Sequence, residues 1–371
     1  MRTRAHIGAQ GGEMTLEVRQ GEPSEKLLDL YSELSKAEYG NDAPDSDSRY
    51  LRWKVLANPQ GPSYAVSVFR GESLIGRITI QRRTVWHEGE SFQGGNVVDL
   101  LIAPDHRGIR SFLSLMSPLR TSPGFDFLYC TPNHRSLPLY RSLLRWPEPL
   151  QLDAFACIID LRAVAEKRLG RIPGLVAVPL SAAWSGALEL QRFTAHESSL
   201  EYDARIPSTA ELKSLVSDVV PRSGTIGDRS PQFLRWRFSD APHTRYELEF
   251  VYRAGTLAAY SVTRRMSYLG YEVLFLMDLL VAHSVDARDR LALRERLVRR
   301  AHESEAELIV ALVNASCRAE TRALGLPFVK VPMSVMPREM PLSVLTLTDR
   351  LPQRLFDRQG FFMSAADFDV P

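Results

Sequence analysis

Residues 49–83 read RYLRWKVLANPQGPSYAVSVFRGESLIGRITIQRR, and residues 232–265 read QFLRWRFSDAPHTRYELEFVYRAGTLAAYSVTRR. The two stretches share an aromatic-Leu-Arg-Trp-basic segment, so that Trp53 matches Trp236. A turn containing proline follows in both. Next come an alternating strand, a glycine turn at Gly71 or Gly255, and a second strand ending in Arg-Arg. The same order continues outward. Asp99-Leu-Leu-Ile-Ala103 matches Asp278-Leu-Leu-Val-Ala282, Asn133 matches Asn314, and Leu143 matches Leu324. Five segments in one order at a nearly constant offset mark an internal repeat of one supersecondary unit.

Period-two alternation predicts three strands in the first copy, Tyr64–Phe69, Leu74–Val85 and Phe92–Ile102, joined by turns at Arg70–Glu72 and His87–Glu90. Upstream, a short strand near Thr15–Arg19 precedes a helix over Ser24–Lys36. In the second copy the corresponding pieces are Leu188–Phe193 and Ser208–Val219. Ser24 and Ser208 are suited to cap these helices, because a serine hydroxyl accepts from a free first-turn N–H. Downstream, a helix from Gly108, a strand over Phe125–Cys130, a helix over Leu137–Leu144 and a strand over Asp153–Asp160 complete the copy. The fold class expected is α/β (α+β mixed), with two tandem units. Each is a mixed, mostly antiparallel sheet with helices on both faces. The expected boundaries are 14–160 for the first domain, 161–186 for a linker, 187–335 for the second domain, and 336–371 for a tail packing on the second.

Composition narrows the function. With 371 residues, 44% hydrophobic and 24% charged, both copies can bury a core. Net charge is +2, and no run of basic residues marks a nucleic-acid tail. Of 46 basic residues only six are lysine, and arginine suits carboxylate and phosphate ligands. Three scattered cysteines (Cys130, Cys157 and Cys317) argue against a disulfide framework, and no Cys/His cluster suggests zinc or another metal. Met1–Gly12 lacks the apolar centre of a signal peptide. The longest apolar stretch, Tyr271–Ala282, carries Glu272 and Asp278 and is shorter than the roughly 20 residues that span a bilayer. A cytoplasmic protein that neither inserts in a membrane nor binds nucleic acid is expected.

Two segments carry a family resemblance. The first is Asp99-Leu-Leu-Ile-Ala-Pro104-Asp-His-Arg107-Gly108-Ile-Arg110-Ser111: an apolar strand, a proline, an Arg-Gly turn and a helix start. A helix N-terminus presents unpaired N–H groups and a positive dipole end, which suits a pyrophosphate. The second is Asn133-His-Arg-Ser136-Leu-Pro-Leu-Tyr140-Arg-Ser-Leu143-Leu144, with seven residues from Asn133 to Tyr140. With the element order, these resemble the GNAT superfamily of acyl-CoA-dependent N-acyltransferases, in tandem-domain form.

The resemblance implies acetyl-CoA or another acyl-CoA as co-substrate and a small-molecule primary amine as acceptor. It implies that Leu101, Ile102, Arg107, Gly108, Ile109, Arg110, Ser111 and Asn133 bind the cofactor. Tyr140 would be the acid that protonates the leaving thiolate. Asp99 would be the carboxylate that takes the proton of the acceptor ammonium, and its apolar strand neighbours Val97 and Leu101 would raise its pKa. Arg110 stands where the family has a second glycine, and Leu144-Arg145 where it has a Gly-aromatic pair.

The second copy has His283-Ser-Val-Asp286-Ala-Arg-Asp289 in place of the Arg-Gly turn, and Thr321 in place of Tyr140, although it keeps Gly325. It is read as a non-catalytic partner. Two further readings stand beside the enzyme: a catalytically degenerate GNAT-fold binding or scaffold protein, and a Fem-type aminoacyl-tRNA-dependent transferase. Trp53 and Trp236 are read as core anchors, and Cys130 as a buried inert thiol.

Overall fold

The computed structural model describes residues 16–169, 199–220, 224–325, 327–334, 336 and 338–368. In the first half, β1 (Leu16–Gly21) leads to α1 (Glu25–Tyr39) and α2 (Ser48–Val55). The strands β2 (Tyr64–Arg70), β3 (Ser73–His87) and β4 (Glu90–Ile102) follow. Then come α3 (Ile109–Met116), β5 (Phe127–Cys130) and α4 (Leu137–Leu139), which continues as a π-helical turn over Tyr140–Leu144. After it lie β6 (Leu150–Gln151) and β7 (Asp153–Ile158). Ser24 caps α1 by accepting from the Leu27 amide, as its position in the sequence predicts.

After α5 (Leu161–Leu169), the second half runs through β8 (Leu200–Asp203), α6 (Thr209–Val219), β9 (Thr225–Gly227) and α7 (Pro231–Leu234). A π-helical turn over Arg235–Ser239 follows α7. Next are β10 (Glu247–Arg253), β11 (Thr256–Tyr268), β12 (Tyr271–Val281), α8 (Ala287–Glu303), β13 (Leu308–Val313) and α9 (Arg318–Leu324). The chain ends through β14 (Val329–Lys330), β15 (Pro341–Thr346) and β16 (Phe361–Phe362). Ser208 closes a reciprocal capping box with Glu211 on α6. The strand expected over Leu188–Phe193 and most of the expected linker lie outside the described residues.

The sheets follow one order. The first runs β1-β2-β3-β4-β5-β15-β6, and the second runs β8-β10-β11-β12-β13-β7-β14. Each is antiparallel apart from one parallel pair on its main path, β4 with β5 and β12 with β13. This is the mixed, mostly antiparallel α/β class that the alternation predicts. The expected boundaries, however, do not coincide with the sheets. Strand β7, expected to finish the first unit, pairs antiparallel with β13 of the second. Strand β15, expected in a tail on the second unit, pairs antiparallel with β5 of the first. The physical reason is a one-residue passage. β6 pairs with β15, Leu152 donates its amide to the Met340 carbonyl, and from Asp153 the same extended chain joins the other sheet.

Strand β3 shows how the faces divide. Ile78 and Ile80 pack with Leu115 and Met116 of α3 in an apolar core. Arg77, Thr79, Gln81 and Arg83 alternate with them and are also buried, so the opposite face of this strand is a buried polar layer. Between the halves, the ring of Trp53 stacks on that of Trp236 with centroids 5.4 Å apart. The Trp53 indole N–H donates to the Trp236 carbonyl at 2.7 Å, and the Trp236 indole N–H donates to the Trp53 carbonyl at 3.0 Å. The expected core anchors are thus the contact between the halves.

The C-terminal segment fills the second half. Asn314 donates to the carbonyls of Arg358 and Phe361, both at 2.7 Å, and Ser364 bridges to Val313. Phe362, Met363, Ala365 and Phe368 are buried there. What remains between β12, β13 and this segment is a void of about 10 Å³, lined in part by Glu320. Burial pushes the Glu320 carboxyl well above the ordinary carboxylate range, and Asp367 and Asp278 nearby add to the rise. A carboxyl raised in the folded state contributes stability that is fully present below its unfolded pKa and lost as pH rises toward the folded value. Glu320→Gln therefore raises the melting temperature at pH 7.5, and the gain shrinks toward zero by about pH 4.5, near the unfolded glutamate value. Thermal unfolding of both proteins across that range checks this. A gain independent of pH would count against it.

Candidate active site

Strand β4 is longer than its pairing with β5. The two are in register only from Gly94 opposite Phe127 to Asn96 opposite Tyr129, whereas β4 continues to Ile102 along β3. A Cβ on Gly95 would stand 2.4 Å from Ile80 Cγ2 and 2.6 Å from Leu128 Cδ2, so the core side chains packed against β4 just before the split leave room only for glycine, which has no side chain. Beyond Asn96 the strands part. A cleft of about 1100 Å³ opens between Val97–Ile102 on one side and Cys130–Ser136 on the other. At its centre β4 carries a bulge: its register against β3 shifts between Arg77 and Thr79. Asp99 takes a left-handed backbone with φ 56°, a conformation aspartate tolerates better than most residues.

Of the residues singled out from the sequence, Asp99, Leu101, Ile102, Arg107, Gly108, Ile109, Asn133 and Tyr140 all line this one cleft. Arg110 and Ser111 occupy the first turn of α3 but do not line it. Gly108 sits at the start of α3, and a Cβ placed on it would meet open space. The first-turn amides of α3 have no partner within the helix, since the first bond runs from Phe112 to Gly108. A pyrophosphate fits at this end of the cleft.

Two of these residues spend their side chains on the protein. Arg107 donates to the Ile102 carbonyl and forms an ion pair with Glu38 of α1, which ties down the loop ahead of α3. The Asn133 side-chain carbonyl accepts from the amides of Arg135 and Ser136, both at 3.0 Å, and so shapes the turn into α4.

The electrostatic surroundings of Asp99 differ from the apolar ones its strand neighbours suggest. Lys54, the residue after Trp53, reaches from α2 and places its ammonium 2.6 Å from Asp99 Oδ1 and 3.5 Å from Asp45. Both side chains of the Lys54–Asp99 pair are almost fully buried, 2% and 4% exposed. Alternation along one strand shows only same-strand neighbours, and the partner comes from another element. Asp278, the matching residue of the second half, is bound differently. It accepts from Arg229 Nε at 2.7 Å, the Tyr260 hydroxyl at 2.6 Å and the Ser364 hydroxyl at 2.7 Å. Both strands carry a register shift at the shared aspartate, but in the first half it faces an ammonium beside the cleft and in the second it is part of a sealed polar network.

Tyr140 lies in the cleft wall where α4 passes into its π-helical turn. Its ring meets Trp146 edge-on at 5.1 Å, and its hydroxyl is hydrogen-bonded with the Cys130 thiol. Burial holds the phenol well above its ordinary pKa, and pushes the Cys130 thiol up to about 12. Tyr140 therefore stays protonated at neutral pH and can donate. Cys130 stays a thiol, in keeping with an inert buried cysteine.

Sequence reasoning missed the far wall. Arg237, Thr244, Tyr246, Arg264 and Tyr268 of the second half line the same cleft, as does Lys54 of the first. The signal was present in the repeated Trp-basic dipeptide, Trp53-Lys54 and Trp236-Arg237, whose tryptophans meet each other.

The sequence matches no family model and no curated protein. Solved structures match over nearly the whole chain. A GCN5-related N-acetyltransferase from Anabaena variabilis has a TM-score of 0.59 and 10% identity, over 90% of this chain and 73% of its own. One from Kribbella flavida has a TM-score of 0.59 and 14% identity, over 91% and 73%. The N-myristoyltransferase of Saccharomyces cerevisiae, solved with bound myristoyl-CoA and inhibitors, has a TM-score of 0.53 and 12% identity, over 95% and 86%. The protein has the GNAT fold. Among the described residues, no helix is long and apolar enough to cross a membrane.

Removing one partner of a buried ion pair strands the other charge. Asp99→Asn, which keeps a residue tolerant of the left-handed backbone, leaves Lys54 only Asp45 at 3.5 Å and should cost about 3 kcal/mol in denaturant unfolding, and the double variant Lys54→Met/Asp99→Asn, which keeps that tolerance, much less. Equal losses would show that the pair is not the source.

Proposed function

We propose that the first half binds an acyl-CoA in the β4/β5 cleft and transfers the acyl group to the primary amine of a small molecule. The observation carrying this reading is the convergence of three features on one cleft. These are the split of β4 from β5, the N-terminus of α3 at one end, and a protonated phenol, Tyr140, in the wall. The first-turn amides of Ile109, Arg110 and Ser111 suit the pyrophosphate, and Gly108 leaves room for it. The edge of β4 at Leu101 and Ile102, beyond its pairing with β5, offers backbone groups to the amides of the cofactor arm. Asn133 supports the opposite lip by ordering the turn into α4.

The thioester supplies an activated carbonyl carbon. The amine nitrogen attacks it, the carbon–sulfur bond breaks, and an amide and a free thiol result. Tyr140 donates its hydroxyl proton to the departing sulfur and recovers one from solvent. The proton lost by the nitrogen leaves through water at Asp99, whose carboxylate Lys54 holds in place. The second half serves as a wall of the acceptor pocket, through Thr244, Tyr246 and Tyr268. The three cysteines, all free and buried, support a reducing, cytoplasmic setting.

Calorimetric titration with acetyl-CoA and a longer acyl-CoA tests the reading, with binding at about one site per chain as the expected outcome. Gly108→Ala retains it, because the added methyl meets open space, whereas Gly108→Glu abolishes it by placing a negative charge at the pyrophosphate end. Absence of binding at millimolar concentration overturns the proposal.

Tyr140→Phe lowers kcat by about 10²-fold or more, with little change in KM for the acyl-CoA, because general-acid catalysis contributes that much to a proton-transfer step. Steady-state thiol release measures it. An unchanged kcat removes Tyr140 from the role.

A further inference from the structure

The repeated Trp-basic dipeptide places a cation at the same point of each half, and the two cations meet different fates. In the first half Lys54 finds Asp99 and Asp45. In the second half the matching acid, Asp278, is already held by Arg229, Tyr260 and Ser364. Arg237 is left without a carboxylate among the described residues. It is 4% exposed, it donates from Nη2 to the Phe368 carbonyl at 3.2 Å, and its Nε has no partner.

Arg77 is in the same state. It is 1% exposed and lies on β3 at the edge of the register shift that forms the Asp99 bulge. Its Nη2 donates to Ser35 at 2.9 Å, its guanidinium covers the Tyr31 ring at 4.9 Å, and its Nε and Nη1 have no partner. Both arginines line the cleft.

Among the described residues no acid of that cleft forms an ion pair with either arginine. Glu38 is paired with Arg107, and Asp45 and Asp99 share the one ammonium of Lys54. A guanidinium does not shed its proton at any working pH. Two buried, permanently charged forks therefore face the cleft with donor capacity left over, and a buried charge calls for a hydrogen-bonded counter-charge.

We infer that the acceptor is an amine that also carries a carboxylate, as an amino acid does, and that Arg77 and Arg237 bind that carboxylate. This rests on the acyl-transfer reading above. A planar two-oxygen anion fits a planar donor fork. Tyr39, Tyr50, Trp53, Tyr246 and Tyr268 line the rest of this region, which suits an apolar body between amine and acid. The cofactor's phosphates are the other source of negative charge. Their place is the N-terminus of α3, whereas Arg237 belongs to the opposite half. In the reaction the nitrogen becomes an amide, the thiol leaves, and the carboxylate keeps its charge and its arginines throughout.

The test compares amines with and without the carboxylate on the full chain. Thiol release from the acyl-CoA that binds is measured with L-phenylalanine against phenethylamine, and with glycine against methylamine. The expected kcat/KM is at least about tenfold higher for the carboxylate member of each pair, expressed mainly in KM. Arg237→Gln and Arg77→Gln each bring that ratio below about three, and Arg237→Lys, which keeps the charge, retains part of it. The wild-type comparison stands even where a variant does not fold.

Equal or faster turnover of the decarboxylated amines overturns the inference. So does an unchanged ratio with weakened acyl-CoA binding in the variants, which would assign the arginines to the cofactor's phosphates. Titration of L-phenylalanine and phenethylamine into the chain without acyl-CoA separates this inference from the reading beneath it. Saturable binding of the amino acid alone, abolished by Arg237→Gln, sustains the carboxylate site even where no acyl-CoA binds. Absence of that binding removes the site whether or not acyl-CoA binds.

Discussion

Trp53 and Trp236 each donate an indole N–H to the other's backbone carbonyl while their rings stack. This reciprocal contact sets the angle between the helices that carry them. It also brings the residues after the tryptophans, Lys54 and Arg237, to the walls of one cleft. The exchange of β7 and β15 makes the arrangement hard to undo. Each sheet is completed by a strand from the other half, so the halves cannot separate without breaking both ladders. The apolar core runs through the join as well, with Phe127 and Leu152 in one cluster with Phe233 and Trp236.

Against this near-symmetric frame, the two halves handle the same architectural gap in opposite ways. In each, the parallel strand pair is in register for only part of its length and then diverges. A gap with buried polar walls must be filled by chain, water or ligand, since unpaired polar groups are costly to bury. The second half fills it with residues 358–368, and Asn314 and Asp278 are saturated by that segment and by Arg229. The first half leaves it open, with a phenol, a buried ion pair and two under-used guanidinia around it. The difference between the halves is a difference in what occupies the gap, more than in the strands that frame it.

Much of this was legible in the chain. The three central strands, the glycine turns, the serine caps and the helix after Gly108 are decided by contacts within a few residues, and they stand where periodicity puts them. The repeat was legible because both copies face the same packing problem at Trp53 and Trp236. Eight of the ten singled-out site residues line one cleft because two motifs sit at the ends of neighbouring parallel strands. Their individual duties were less legible. Arg107 and Asn133 bond to their own protein, and Asp99 has an ammonium partner 45 positions away in sequence.

By itself, then, the sequence determined the α/β class, the strand order that the two sheets share, and which motifs meet at one cleft. These rest on local hydrophobic period and on turn and cap chemistry, which are written in adjacent residues. Only the tertiary structure decided which strand closes which sheet, which half keeps its cleft, and which cations are left without an acid. A strand edge pairs through backbone groups common to every residue, so the side-chain pattern does not name its partner. A buried charge is matched or unmatched only once every element around it is in place.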